Sequence, residues 1–228
     1  MPGGRQSKGR CAYCEVVIAR NGISKHLSVC QKRQAVIEKA QAIEKVESEV
    51  LYHLRVQDAY RSEFWLDLEM RGTSALKDLD SYLRSIWLEC CGHLSRFSFG
   101  GWQGKEIPKN RRADEVFKQG SELTHTYDFG TSSQTLIKKV GAREGKPTTT
   151  HPIVLMARNL MPEAECIECK QPAAWLCMEC LVEKDVWGTL CDTHAKSHPH
   201  DNYGQPVRLV NSPRMGMCGY QGPAESPY

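Results

Sequence analysis

The sequence predicts an α+β fold in which a central mixed α/β domain is flanked by two small modules rich in cysteine and histidine. Within residues 51–70, apolar side chains alternate with polar ones, as in strands with one buried face. Residues 76–90 place apolar side chains every three or four positions, as in an amphipathic helix. Cysteine and histidine pairs at short spacings mark both ends of the chain. Strands, one main helix and then further strands indicate an α+β domain.

The composition indicates a globular protein that is long enough to bury a core. The chain has 228 residues, of which 40% are hydrophobic and 25% are charged, with a formal net charge of +3. No apolar run approaches the roughly 18 residues of a membrane-spanning helix, and no apolar segment follows the basic N-terminus as in a secretory signal. We therefore expect a cytoplasmic protein with no membrane partner. In that reducing compartment, eleven cysteines favour metal ligation over disulfides.

The first module spans residues 1–33 and contains four candidate metal ligands. Cys11 and Cys14 form a CxxC pair, and His26 and Cys30 follow with three residues between them. That spacing places the second pair on one face of a helix, where it can complete a tetrahedron that the first pair begins. The pattern predicts a C2HC zinc finger.

The same module is strongly basic. Residues 1–33 contain seven basic residues against one acidic residue, a net charge of +6. Such a cluster favours contact with nucleic acid or a nucleoprotein, and RNA over DNA because the spacing differs from that of ββα fingers. A solvated basic arm is the alternative. The candidate nucleic-acid-binding residues are Arg5, Lys8, Arg10, Arg20, Lys25, Lys32 and Arg33.

Residues 34–50 predict a helical connector, because Ala, Glu, Lys and Gln dominate them without Gly or Pro. The central domain follows at residues 51–160. Its main helix is expected to begin at a cap on Thr73 or Ser74 and to end near Gly92. A strand, a glycine-containing turn and a second strand predict a hairpin within residues 122–141.

Several polar residues of this helix could in principle form a site, but we expect them to be solvated or structural. Cys90 and Cys91 are adjacent, which does not suit a single zinc knuckle, so we expect one packing residue and one without a role. The residues concerned besides this pair are Asp78, Asp80, Glu89 and His93.

Three motifs within residues 51–140 carry a family resemblance. They are an aromatic-Trp strand at Phe64 and Trp65, a His-Leu-x-x-Phe sequence at 93–97 and a Tyr-Asp-Phe-Gly turn at 127–130. Together they resemble the plasmid and insertion-element passenger family that is labelled TnpR-like. The resemblance implies the α+β domain of that family and no particular reaction.

The second module, residues 161–205, contains four ligand pairs. Eight donors fill two tetrahedral sites and leave no open position, which is typical of structural zinc. An interleaved arrangement, first pair with third and second with fourth, is favoured over a sequential one. Asp201 or Cys218 could replace one of the last two histidines. The pairs are Cys166 with Cys169, Cys177 with Cys180, Cys191 with His194, and His198 with His200.

The paired cysteines, the apolar bridge AAWLC and the closing histidines resemble B-box-like cross-brace zinc fingers. We expect Trp175 and Trp187 to form the core of this module. The Pro- and Gly-rich residues 206–228 have no periodicity, so we expect an extended tail on the surface, or disorder.

The sequence therefore predicts a non-enzymatic adaptor with two zinc-stabilised modules and three zinc ions, which contacts nucleic acid or a nucleoprotein through its basic finger. The alternative is a protein interaction module that acts through the cross-brace. An enzyme is the least favoured interpretation, because no nucleophile, base and orienting group occur at recognisable spacings.

Overall fold

A computed structural model describes residues 7–228 of the chain. Within these residues, nine strands form one antiparallel sheet in the order β2-β1-β9-β4-β3-β8-β7-β5-β6. The strands are β1 (Lys8–Cys11), β2 (Val17–Ala19), β3 (Glu49–Asp58), β4 (Trp65–Arg71), β5 (Ser95–Phe99), β6 (Lys105–Ile107), β7 (Glu122–Tyr127), β8 (Ser133–Gly145) and β9 (Ile153–Asn159).

Helices cover both faces of this sheet and complete an α+β fold, which confirms the predicted fold class. The α-helices are α1 (Arg20–Val29), α2 (Gln31–Gln41), α3 (Leu76–Leu83), α4 (Ala113–Gln119), α5 (Met178–Lys184) and α6 (Asp192–Ser197). A π-helical turn, Arg84–Leu88, continues α3, and a 3-10 turn, Met217–Gly219, lies near the C-terminus. Among the described residues, no helix has the length and apolar character to cross a membrane.

Strand β4 is buried on both faces of the sheet. Leu66, Leu68 and Met70 belong to the main core with α3 and α4, as their alternation predicts. On the opposite face, Trp65 packs in a second core with Ile23 of α1. The first module is therefore part of the sheet: β1 pairs with β9, and α1 covers the second face.

That second face also carries two buried carboxylates of β4, each paired with arginine. Asp67 accepts hydrogen bonds from Arg55 at 2.9 and 3.2 Å. Glu69 accepts from Arg33 of α2 at 3.0 Å and from Arg143 of β8 at 2.7 Å. Buried carboxylates require such partners, so α2 is held to the sheet by charge as well as by packing.

Both predicted helices end earlier than the sequence indicates. The connector helix stops at Gln41, and the Lys146 ammonium donates to the carbonyls of Gln41 and Ile43 where it ends. The main helix is capped at Ala75, whose N–H donates to the Asp78 carboxylate at 2.9 Å, and not at Thr73 or Ser74. It leaves helical geometry at Glu89. The hairpin lies as predicted between β7 and β8.

The second module has a small sheet of its own. In the described part of the chain, its three strands run in the order β11-β10-β12, with β10 (Trp175–Cys177), β11 (Gly188–Leu190) and β12 (Val207–Arg208).

The tail beyond β12 differs from the expected surface arm. Residues 212–216 are buried, and Arg214 is fully buried against the central domain. Ser212 donates to the carbonyl of Trp87 at 2.6 Å, and Arg214 donates to the Asp128 carboxylate at 2.7 Å. Polar side chains that are hydrogen-bonded to buried groups anchor this segment. Its Pro and Gly content alone does not indicate such anchoring.

Candidate metal centres

All eleven cysteines of the chain fall into four clusters with histidine. Within residues 7–228, the ligand atoms of each cluster lie within 4.8 Å of one another, and each cluster offers four. Sulfur and imidazole donors in fours are the ligand sets of tetrahedral zinc, so the clusters are compatible with zinc binding. They are Cys11, Cys14, His26 and Cys30; Cys166, Cys169, Cys191 and His194; Cys177, Cys180, His198 and His200; and Cys90, Cys91, His93 and Cys218.

The first cluster forms where β1, α1 and α2 meet. Cys11 ends β1, and the Glu15 N–H donates to its carbonyl at 2.9 Å in a turn where Glu15 adopts a φ of 61°. His26 lies on α1, with its Nε2 3.3 Å from Cys14 Sγ. Without a cation, burial raises the pKa of Cys11 to about 11, so a metal must displace a proton there.

The second module groups its eight ligands in interleaved order. The first and third pairs form one cluster, with His194 Nδ1 3.4 Å from Cys166 Sγ and 3.3 Å from Cys191 Sγ. Although burial raises the pKa of Cys166, hydrogen bonds from the backbone N–H groups of Cys191, Glu168 and Cys169 lower it to about 6, which favours the thiolate that a metal requires.

The second and fourth pairs form the other cluster of this module. His198 Nε2 lies 3.4 Å from Cys180 Sγ, and His200 Nδ1 lies 3.1 Å from the same sulfur. Neither expected substitute joins them: Asp201 is exposed and outside the cluster, and Cys218 belongs to a different one.

A carboxylate between the first two cysteines of the module contacts a histidine of each cluster. Glu168 Oε1 lies 2.8 Å from His198 Nδ1, and Glu168 Oε2 lies 3.7 Å from His194 Nε2. In both rings this is the nitrogen that faces away from the sulfurs. Such an outer contact fixes the orientation and tautomer of a ligating imidazole. Glu168 was not among the residues predicted from the sequence, although its position inside the CxxC knuckle is a signal for this role.

Of the two tryptophans of the second module, Trp175 packs against its buried core, whereas Trp187 does not. Trp175 is half-buried and its Nε1 donates to Asp192 at 2.7 Å. Trp187 is 40% exposed, and the Arg61 guanidinium of the central domain lies 4.5 Å from its ring centroid. Leu190 is buried together with the cysteines of the module, and Leu176 is buried in a separate cluster with Met178 and Met215.

The fourth cluster corrects the expectation for Cys90, Cys91 and His93. Cys90 does pack against the main core, but both cysteines and the histidine converge on Cys218 of the tail. The sequence did contain a signal: three cysteines outside the predicted motifs and a nearby histidine supply one further set of four donors.

Asp80 differs from the expected solvated residue. It is buried and accepts from His125 Nε2 at 2.7 Å, from Lys109 at 2.9 Å and from Ser95 at 2.6 Å. Burial alone raises the pKa of Asp80, but these hydrogen bonds hold it far below its ordinary value. Burial also lowers the pKa of His125, so the pair is a carboxylate and a neutral imidazole. Asp78 caps the helix, and Glu89 is exposed.

The candidate nucleic-acid-binding residues divide into three groups. Arg5 lies outside the described residues. Two arginines have partners within the protein: Arg33 forms an ion pair with Glu69, and Arg20 donates to Gln57 and to the carbonyl of Ser62 at 3.1 Å. The remaining cations are exposed on β1, α1 and α2, the elements that hold the first cluster; they are Lys8, Arg10, Lys25 and Lys32.

Comparison with known proteins assigns no family. No family model matches the chain, and no curated protein matches it. Similar solved structures include a protein of unknown function from Methanosarcina mazei Go1. It has 18% sequence identity and a TM-score of 0.41, over 48% of this chain and 69% of that chain. A similarity of this size supports no conclusion about function.

Proposed function

We propose that this protein is a non-enzymatic zinc-binding adaptor that contacts nucleic acid, RNA in preference to DNA, or a nucleoprotein. The contact is made by the four exposed cations around the first cluster, Lys8, Arg10, Lys25 and Lys32, which we call the finger cations. Zinc ions fill the first cluster and both clusters of the second module, so these carry three ions.

The observation that supports this proposal is the position of the finger cations. Lys25 precedes the ligand His26 on α1, and Lys8 and Arg10 lie on the strand that ends at the ligand Cys11. A bound zinc ion fixes these elements and therefore the spacing of the charges. Fixed, exposed Lys and Arg side chains neutralise phosphates without reading sequence.

The ligand sets support a non-enzymatic role for the metal. Each cluster supplies four protein donors, whereas catalytic zinc keeps three and leaves a position for water or substrate. The metal then stabilises the fold and presents a surface.

The test is binding of the zinc-loaded full chain to a generic single-stranded RNA and a matched DNA across a salt series. One variant replaces the finger cations with glutamine. A control variant removes the same charge from exposed lysines of the central domain, Lys77, Lys105, Lys118 and Lys138.

We expect log-linear weakening of affinity with salt for the wild type and the control. The finger variant should bind more weakly, and its slope should be smaller by about 0.7 for each phosphate of a single strand that it no longer neutralises. Equal slopes for the two variants, or no binding at low salt, would refute the proposal.

A second candidate function, protein interaction through the second module, is favoured by its exposed apolar side chains. Val182, Val186 and Trp187 are 56%, 47% and 40% exposed within six residues of one another. Co-purification of one protein that resists high salt and is abolished in a Val182→Asp, Val186→Asp variant would favour this function over nucleic-acid binding.

A further inference from the structure

We propose that Cys90, Cys91, His93 and Cys218 bind a fourth zinc ion, which joins the C-terminal tail to the central domain. This site lies outside the three zinc centres of the proposed function and does not depend on nucleic-acid binding. It links residues of the loop after α3 to a residue more than a hundred positions later in the chain.

The distances within this cluster are close to those of a tetrahedral zinc site. Cys91 Sγ lies 3.6 Å from Cys90 Sγ and 3.6 Å from Cys218 Sγ. His93 Nε2 lies 3.4 Å from Cys218 Sγ and, more closely, 2.9 Å from Cys91 Sγ. Zinc bonds of about 2.3 Å to sulfur and about 2.0 Å to nitrogen give tetrahedral edges of roughly 3.5 to 3.8 Å. The corresponding distances in the second module range from 3.1 to 3.8 Å.

The same distances argue against a disulfide. Sulfur atoms of a disulfide lie about 2.05 Å apart, whereas Cys91 Sγ stands equally far from two other sulfurs. Three sulfurs and one imidazole nitrogen around one point form the ligand set of the first cluster again.

Neighbouring groups hold the loop in place and stabilise one of its thiolates. The Tyr127 hydroxyl accepts from the backbone N–H groups of Cys90 at 3.4 Å and His93 at 3.3 Å, so both ligands are positioned by one buried ring. A zinc ion with three thiolates carries net negative charge. The buried Arg214 guanidinium donates to Cys90 Sγ at 3.4 Å and stabilises that thiolate, and it also pairs with the Asp128 carboxylate at 2.7 Å.

The tail reaches the site through a strained turn. Cys218 adopts a φ of 50°, a left-handed conformation that is unfavourable for a residue with a Cβ. It lies between Gly216 and Gly219, which adopt φ angles of 80° and 71° at less cost. Zinc binding by Cys218 supplies an interaction that offsets this strain.

Exposure distinguishes this site from the others. Cys91 and Cys218 are exposed and Cys90 is half-buried, whereas each of the other three clusters contains at least one buried cysteine. Water and chelators reach the exposed sulfurs directly, so the fourth ion is expected to exchange first.

The test is zinc content per chain, measured by native mass spectrometry and elemental analysis on the zinc-loaded full chain purified in reductant. Cys218→Ser removes the ligand of the tail, and Cys91→Ser removes one from the central domain, so a folding defect on one side does not decide the result. Leu94→Ala is the matched control, because Leu94 adjoins His93 but is 74% exposed.

We expect four ions in the wild type and in Leu94→Ala, and three in each cysteine variant. A limiting amount of chelator should remove one zinc ion from the wild type before the other three. The cysteine variants should show no such rapidly removed ion. Three ions in the wild type, four in either variant, or a disulfide between Cys91 and Cys218 would overturn the proposal.

Discussion

The carboxylate of Glu168 lies 2.8 Å from Nδ1 of His198, and its second oxygen lies near Nε2 of His194. One side chain therefore contacts a ligand of each cluster in the second module. We therefore expect zinc binding at the two clusters to be coupled through it.

Glu168→Ala should weaken zinc binding in the second module about 10- to 100-fold, as expected when a ligating histidine no longer has its outer partner. The measurement is competition with a chelator of known affinity. Glu183→Ala, an exposed carboxylate on α5, is the control and should keep wild-type affinity. Weakening at the first cluster instead would contradict the assigned role.

Cys177→Ser should unfold the second module and leave the central domain folded. Cys177 ends β10 and belongs to a cluster compatible with zinc, and structural zinc supplies roughly 10–16 kcal/mol of apparent binding free energy to small domains. Hydrogen exchange should show much lower protection in β10 and β11 and unchanged protection in β3 and β4. The control variant Thr193→Ala changes an exposed position and should show the same hydrogen-exchange protection as the wild type in both regions. Retained protection of β10 without zinc would show that the metal is dispensable.

Arg214→Ala should lower the free energy of unfolding by about 3–5 kcal/mol, because it removes the buried arginine partner of the Asp128 carboxylate. Urea denaturation measures the change. Arg208→Ala removes an exposed arginine of the same segment and should cost far less. If Arg214→Ala lowered the free energy of unfolding no more than Arg208→Ala does, the buried pair of Arg214 and Asp128 would contribute little to stability.

The lowered pKa of Asp80 makes the free energy of unfolding depend on pH in the acidic range. Its folded pKa lies below the ordinary value of 3.8, so its contribution is complete above that value and is lost as the pH falls towards the folded pKa. Asp80→Asn should therefore be less stable than the wild type at pH 6, and the gap should narrow by pH 3. Urea midpoints at the two pH values give the gap. Glu106→Gln, at a 64% exposed side chain, should differ little from the wild type at either pH. A constant gap for Asp80→Asn would contradict the assigned pKa shift.

Features that depend on residues close together in the sequence were predicted from the spacing of those residues. Pairs such as Cys11 with Cys14 are close in sequence, and the turn that brings them together is encoded within the same few residues. The alternation of apolar and polar residues in β3 and β4 likewise predicted their shared core, because alternate side chains of a strand point to the same face.

Features that depend on distant pairing were not predicted. Cys218 meets Cys91 only because the tail folds against the central domain, and no spacing encodes that contact. Asp80 meets His125 only because α3 lies over β7. A polar residue on a helix looks the same in sequence whether water or a buried imidazole faces it.

The pairing of β1 with β9 has a consequence for synthesis on the ribosome. Cys11 lies opposite Ala157, so the strand made first must wait for one of the last strands of the sheet. At about 5–20 residues per second, that interval is roughly 7–30 s. Throughout it the nascent chain exposes the apolar side of α1 and the thiols of the first cluster. A zinc ion captured early by Cys11, Cys14, His26 and Cys30 would keep this segment compact until its partner strand emerges.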